Sequence, residues 1–153
     1  MQQKILIDNR QEAKLPTPQI RQKTEQILNA LGCDAHEISI VVMDDPGIRE
    51  LNNNFRGIDK PTNVLSFPMQ EGEFGDITPG LLGDVVISLD TAENEAKQAG
   101  ISTDERMSQL LIHGILHLLG FDHETGETEA EQMEDKSLEL LRLIEKNAGL
   151  SAF

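Results

Sequence analysis

The stretch STDERMSQLLIHGILHLLGFDH occupies residues 102–123 and carries the strongest structural signals of the chain. Ser102 and Glu105 have the spacing of a capping box, in which a serine hydroxyl and a glutamate satisfy the free backbone groups at a helix start. Apolar residues then recur at helical spacing, and Gly120 can adopt the left-handed conformation that ends many helices. The stretch therefore predicts a helix that begins after Ser102 and stops at Gly120.

Three of the four histidines lie in this stretch, at His113, His117 and His123. His113 and His117 are four residues apart, so on a helix they share one face and can bind one metal ion. A turn at Gly120 would bring His123 to the same ion, and this spacing is that of the metzincin zinc proteases. Three imidazoles suit one Zn²⁺ per chain and leave an open position, as in catalytic sites. They also suit Ni²⁺, Co²⁺ and Cu²⁺.

One position departs from the zinc peptidase pattern. In those enzymes a glutamate after the first histidine is the general base, whereas here that residue is Gly114. Asp122 or Glu124 could supply a carboxylate, but Asp122 could equally orient a histidine ligand. The remaining histidine, His36, is interpreted as a surface residue. The peptidase mechanism therefore lacks its base at the usual place.

Composition limits the class of protein. The 153 residues include 13 Lys and Arg against 27 Asp and Glu, for a net charge of −14, which argues against a general RNA-coating protein. Residues 1–62 carry 8 basic and 9 acidic side chains, and residues 63–153 carry 5 and 18. Cys33 is the only cysteine, and no apolar run approaches the ~20 residues of a membrane span. We expect one cytoplasmic domain over residues 1–153.

The rest of the chain alternates short apolar runs with helical patterns. The predicted order is β α β α β β α α α, which favours an α/β (α+β) layered domain with a small mixed sheet and helices packed on it. The predicted strands are Lys4–Asp8, Ile38–Met43, Val64–Phe67 and Val85–Ser88, with 71–80 as a loop. The other predicted helices begin with Thr17 as N-cap and end at Gly32, span Ile48–Phe55, span Asp90–Ala99 up to Gly100, and begin at Thr128.

Three blocks of the sequence resemble the YbeY family of bacterial rRNA maturation factors and endoribonucleases. The first is His113–His123, with glycine in the glutamate position. The others are Asn54–Arg56 with Asp59–Pro68, and Leu82–Ser88. They occur in the family's order and cover most of residues 40–124, although many members have aspartate in place of Asn63.

The resemblance implies a zinc-dependent, single-strand-specific endoribonuclease with a metalloprotease-like zinc helix. Such proteins act in 16S rRNA 3′-end processing, small-subunit maturation and ribosome quality control. The family's zinc ligands correspond to His113, His117 and His123, and its important arginine corresponds to Arg56. The implied partners are single-stranded RNA such as the 16S rRNA precursor, and the ribosome or its small subunit with associated proteins; no membrane partner is implied.

The residues leave several alternatives open. A guanidinium such as that of Arg56 can hold two phosphoryl oxygens, but it can also form a surface salt bridge or neutralise a helix end. The metal could serve a peptidase-like hydrolase or a non-catalytic ribosome assembly factor instead. Because the chain has 5 Phe and no other aromatic residue, it offers few side chains on which RNA bases could stack. RNA would be held by a basic strip that includes Arg49, Arg56 and Lys60, or delivered by a ribosomal partner.

Overall fold

The observed elements follow the predicted order. The computed structural model describes residues 4–33, 37–68, 81–120 and 126–145. Within these ranges there are four strands and five helices. They are β1 Lys4–Arg10, α1 Thr17–Ala30, β2 Glu37–Met43, α2 Asp45–Arg56, β3 Val64–Pro68, β4 Leu81–Ser88, α3 Leu89–Ala99, α4 Thr103–Leu118 and α5 Glu127–Glu145. None of these helices is long and apolar enough to cross a membrane.

The four strands form one mixed sheet in the order β1-β2-β4-β3. β1, β2 and β4 run parallel, and β3 pairs antiparallel with β4. β2 and β4 lie at the centre, which explains their continuous apolar runs, because a central strand is covered on both faces. The predicted small mixed sheet with packed helices is confirmed, and β3 forms one edge of it.

Alternate side chains of the sheet enter two separate cores. Val85 and Ile87 of β4 lie in the larger core with apolar residues of α1, α3, α4 and α5. Val86, between them in sequence, lies in the smaller core with Ile48 of α2. Successive side chains of a strand point to opposite faces. α4 and α2 therefore lie on opposite faces of the sheet, and this separation sets the geometry of the candidate site.

The predicted helix ends are partly right. Ser102 caps α4, because its Oγ accepts a hydrogen bond from the Glu105 backbone N–H at 3.1 Å. Thr17 is not an N-cap as predicted: it is already helical, and the Pro16 carbonyl accepts the first helical hydrogen bonds. Thr128 also lies inside its helix, since α5 begins one residue earlier. The error at Thr17 comes from placing a hydroxyl at the cap when the backbone turns one residue earlier, at Pro16.

Ser88 links the starts of α2 and α3 by hydrogen bonds, so its substitution should lower the stability of the protein. Its buried Oγ accepts a hydrogen bond from the Thr91 N–H at 3.3 Å and donates to Asp45 Oδ1 at 2.5 Å. We expect Ser88→Ala to lower the free energy of unfolding by about 2 kcal/mol, because it removes a cap and a partner of a carboxylate. Ser102→Ala, which removes an exposed cap alone, should cost about 1 kcal/mol or less. Urea unfolding of both variants tests this, and equal losses would contradict it.

Candidate metal centre

Helix α4 supplies two of the predicted metal ligands. Most of its length is buried, because it packs against β3, β4, α3 and α5. His113 and His117 are half-buried and lie about one turn apart in its C-terminal half. The buried faces of the helix leave it little freedom to rotate. The two imidazoles are therefore held by the core rather than by a surface loop.

The two imidazoles converge on one point. Nε2 of His113 lies 3.0 Å from Nε2 of His117, and the ring centroids are 4.5 Å apart with 69° between the planes. Two histidine nitrogens bound to one tetrahedral zinc, each at ~2.0–2.1 Å, lie about 3.3 Å from each other. The observed separation is within a few tenths of an ångström of that value. The pair therefore fits two positions of one transition-metal site.

The predicted third ligand, His123, lies outside the described residues, as do Asp122, Glu124 and His36. Among residues 4–33, 37–68, 81–120 and 126–145, no group of three or more His, Cys, Asp or Glu side chains is arranged to hold a metal ion. Gly120 does have the predicted left-handed backbone, with φ of 94°. Its N–H donates to the His117 carbonyl at 3.1 Å, so the chain turns directly after the second histidine.

Gly114 is required by the packing of α4 on the sheet. A Cβ atom at this position would lie 2.5 Å from Val85 Cγ1 and 3.2 Å from Val64 Cγ2. The first distance is far inside van der Waals contact, so any side chain would push the helix away from β3 and β4. The position after the first histidine therefore excludes the glutamate of the zinc peptidases for a steric reason. The same close approach holds the histidines near the edge strand.

Ser66 of β3 fastens this edge to the histidine helix. Its Oγ donates a hydrogen bond to the Gly114 carbonyl at 2.9 Å. That carbonyl lies between the two histidines in sequence. This contact gives Ser66 a structural role, because its hydroxyl donates to a backbone carbonyl. Sheet edge and histidine pair thus form one unit.

Arg56 lies on the other face of the sheet from the two histidines. It occupies the last turn of α2, and its side chain is exposed. Gly57 follows in the left-handed conformation, with φ of 71°, and ends the helix. From there the loop of residues 57–63 leads round to β3 at the sheet edge. The structure therefore brings His113 and His117 together but places Arg56 on the helix of the opposite face.

Asp84 belongs to the face away from the histidines. It precedes Val85, which packs against α4, so the alternation of the strand directs Asp84 to the α2 side. Across the sheet it pairs with Phe67 of β3. This placement directs the Asp84 side chain away from the helix that carries His113 and His117.

A polar network near the histidine helix is not predicted from sequence. Glu95 of α3 accepts hydrogen bonds from Arg106 Nε and Nη2, both at 3.0 Å, and from the Asn63 amide at 3.2 Å. Arg106 also donates to Gln109 Oε1 at 2.5 Å. Arg106, Gln109 and His113 recur at helical spacing. That spacing was the available signal, but the partners, Glu95 on α3 and Asn63 in the loop before β3, depend on the fold.

Comparisons with known proteins identify the family. The family described as Endoribonuclease YbeY matches residues 6–145. Endoribonuclease YbeY of Geobacter sulfurreducens is 50% identical over 149 residues, 96% of this chain and 99% of that protein. Endoribonuclease YbeY of Aquifex aeolicus is 46% identical over 133 residues, 87% of each. The solution structure of TM1509 from Thermotoga maritima shares the fold, with a TM-score of 0.64 at 24% identity over 95% of this chain and 97% of that chain. The chain belongs to the endoribonuclease YbeY family.

Proposed function

We propose that this protein is a zinc-dependent, single-strand-specific endoribonuclease of the cytoplasm that acts in 16S rRNA 3′-end processing, small-subunit maturation and ribosome quality control. The observation that carries the proposal is the His113–His117 pair, with Nε2 atoms 3.0 Å apart, in a chain whose near-full-length relatives are named endoribonucleases. Its substrate is single-stranded RNA such as the 16S rRNA precursor, and the small ribosomal subunit with its proteins is the partner that presents it.

The metal ligands of the proposal are His113, His117 and His123. When bound, the metal ion supplies positive charge against the charge that develops in phosphodiester cleavage and lowers the pKa of water. The protein's own contribution is to hold the first two imidazoles rigidly, because the Ser66 hydrogen bond and the Gly114 contact with Val85 fix α4 against the sheet. Preorganised ligands of this kind do not reorganise during the reaction.

The spacing of the three histidines also suggests a peptidase-like activity, which has less support than the nuclease. The glutamate that peptidases use after the first histidine has no room here, because a Cβ at Gly114 already meets Val85 at 2.5 Å. A phosphodiester needs charge stabilisation and an oriented water more than a dedicated glutamate at that position. The packing at Gly114 therefore supports the nuclease over the peptidase.

The direct test is RNA cleavage by the purified protein. A labelled single strand and the same sequence in a duplex are incubated with protein, with and without a metal chelator. We expect cleavage of the single strand, protection of the duplex and loss of activity on chelation. A peptide library serves as the competing substrate. Cleavage of peptides but not RNA would overturn the proposal. A protein whose histidine variants still rescue ribosome maturation would point to the non-catalytic assembly factor.

Substitution of Arg56 is predicted to slow RNA cleavage. A guanidinium holds a phosphate through two parallel hydrogen bonds, whereas a lysine offers a point charge. We expect Arg56→Lys to lower kcat/KM for RNA cleavage about tenfold and Arg56→Glu about a hundredfold, because the latter also repels the phosphate. Single-strand cleavage at fixed ionic strength measures both.

The matched control is Arg10→Glu. Arg10 is another exposed arginine, on β1 at the opposite edge of the sheet, paired with Asp8 at 2.7 Å. Arg10→Glu changes the net charge by the same amount as Arg56→Glu, so a purely global electrostatic effect would slow cleavage by both variants equally. Circular dichroism and urea unfolding confirm that each variant is folded. Equal cleavage by Arg56→Glu and wild type would contradict the role given to Arg56.

A further inference from the structure

An aromatic pair joins α2 to the edge strand β3. The ring of Phe55 packs edge-to-face on the ring of Phe67, with centroids 5.2 Å apart and 66° between the planes. Phe67 is half-buried and packs against the smaller core, whereas Phe55 is 67% exposed. Phe67 therefore holds Phe55 in position while most of the Phe55 ring remains open to solvent. An aromatic ring that is fixed but uncovered is suited to stacking with a planar partner.

The charges around this ring favour an anionic ligand. Arg56 follows Phe55 directly, and Lys60 is exposed on the loop that follows. The backbone of Lys60 is held by a buried residue, since Asn52 Nδ2 donates to its carbonyl at 2.9 Å. The Phe55 ring therefore lies in a segment with two exposed cations, although the whole chain has a net charge of −14.

The carboxylate in this segment is already neutralised. Asp59 accepts two hydrogen bonds from Arg49, Nε to Oδ1 at 2.8 Å and Nη2 to Oδ2 at 3.1 Å. This bidentate pair lowers the pKa of Asp59. Glu50 precedes Phe55 by five residues on the helix, which places it on another face. Within this segment Arg56 and Lys60 are thus left to meet a phosphate backbone, and outside it the half-buried Asp84, paired with Phe67 across the sheet, is a carboxylate on the same face.

We propose that Phe55, supported by Phe67, is a base-stacking platform for single-stranded RNA, with Arg56 and Lys60 holding the flanking phosphates. The proposal rests on the proposed function and names how its substrate is held. Single-stranded nucleic acids bind through aromatic rings that stack on bases, next to cations that follow the backbone. Bases in a duplex stay within their stack, so such a platform selects unpaired RNA.

The fold gives the RNA a route from this platform to the histidines. β3 is an edge strand, and its consecutive residues Ser66 and Phe67 face opposite sides of the sheet. Ser66 contacts the Gly114 carbonyl between the two histidines, and Phe67 supports Phe55. RNA that crosses the edge of β3 can stack one base on Phe55 while a phosphate of another nucleotide reaches the metal centre. Opposite faces are thereby joined by the substrate.

The test measures binding without cleavage. The probe is a single-stranded 2′-O-methyl oligonucleotide that contains 2-aminopurine, whose fluorescence falls when it stacks, and gel electrophoresis after each titration verifies that the probe is intact. Phe55→Ala should weaken binding about fivefold to a hundredfold, Phe55→Leu nearly as much, and Phe55→Trp little, because stacking needs an aromatic ring. Leu143→Ala is the matched control, because Leu143 is 51% exposed on α5, which packs against α1 and α4. It should bind the oligonucleotide like wild type.

A second probe separates stacking from general charge attraction. Wild type should bind an oligonucleotide with abasic sites more weakly than the intact strand. Phe55→Ala should bind the abasic oligonucleotide as tightly as wild type does. Equal binding of the intact strand by wild type and Phe55→Ala, or no binding by wild type, would overturn the platform.

These readouts keep the two proposals apart. The platform survives if wild type shows the stacking signal yet cleaves no RNA, in which case the nuclease proposal fails. The nuclease proposal survives if wild type cleaves single-stranded RNA while Phe55→Ala binds normally, in which case the platform fails.

Discussion

Replacement of His113 by alanine is expected to reduce the rate of RNA cleavage about a thousandfold and to lower the amount of bound metal. Nε2 of His113 lies 3.0 Å from Nε2 of His117, so the variant leaves a single imidazole of this pair. A site that loses one of three protein ligands holds zinc weakly and in the wrong geometry. Single-turnover cleavage of a labelled single-stranded RNA gives the rate, and elemental analysis gives the metal content.

The histidine variants also reveal whether the ligands act as one unit. The double variant of His113 and His117 should be no slower than His113→Ala, because effects of residues that share one function are not additive. His36→Ala is the control, since it removes a histidine that lies outside the cluster in sequence. A His113→Ala protein that cleaves as fast as wild type would show a contaminating nuclease and would falsify the assignment. Full metal content in the double variant would likewise contradict the assignment of these histidines as metal ligands.

Gly114→Ala is expected to lower the free energy of unfolding by about 3 kcal/mol, and Gly114→Glu is expected to prevent stable folding. In an ordinary helix, glycine to alanine stabilises the protein by up to about 1 kcal/mol, so the predicted sign is reversed. The reason is local: the new Cβ would lie 2.5 Å from Val85 Cγ1. Because the Val85 side chain is fully buried in the larger core, the helix must move rather than the side chain. Urea unfolding monitored by circular dichroism measures the change.

A compensating variant keeps this prediction testable when the single variant folds poorly. Val85→Ala alone should cost about 2 kcal/mol, because it leaves a cavity in the core. In that background Gly114→Ala should cost far less than in wild type, since the atom it meets is gone. The difference between the two costs is the coupling of the pair. A coupling near zero would show that the close approach of α4 to β4 does not set the stability.

The packing of Gly114 also has a consequence for activity. α4 moves away from β3 and β4 if a side chain is forced between them, and the histidines move with the helix. We therefore expect any folded Gly114 variant to lose nuclease activity without gaining peptidase activity. Gly114 is thus a structural requirement of the candidate metal centre and more than an absent glutamate.

Much of the architecture could be predicted because its signals are local. The Ser102 cap of α4, the left-handed Gly100 and Gly120, and the apolar run of β2 each depend on a few neighbouring residues. The predictions failed where two local solutions compete. Thr17 looks like a cap, but the turn at Pro16 starts the helix first. The order of elements and the start of α4 were predictable, whereas the starts of α1 and α5 were not.

The candidate site divides in the same way. The spacing of His113 and His117 predicts a shared helical face, and the structure places their Nε2 atoms together. Nothing in the spacing indicates that Arg56 lies on the helix of the opposite face. Nor does it indicate that Phe55 rests on Phe67, because these residues come from elements joined only through the loop of residues 57–63.

The elements, their order and the shared helical face of the two histidines follow from local signals, since helix and strand periodicity and capping act over a few residues. The placement of β4 between β2 and β3, which makes β3 an edge, depends instead on the packing of the whole domain. That strand order makes Gly114 a contact of Val85 and leaves Phe55 exposed beside the edge. The physical reason is that such contacts join residues far apart in the chain, and their energy depends on how whole elements pack.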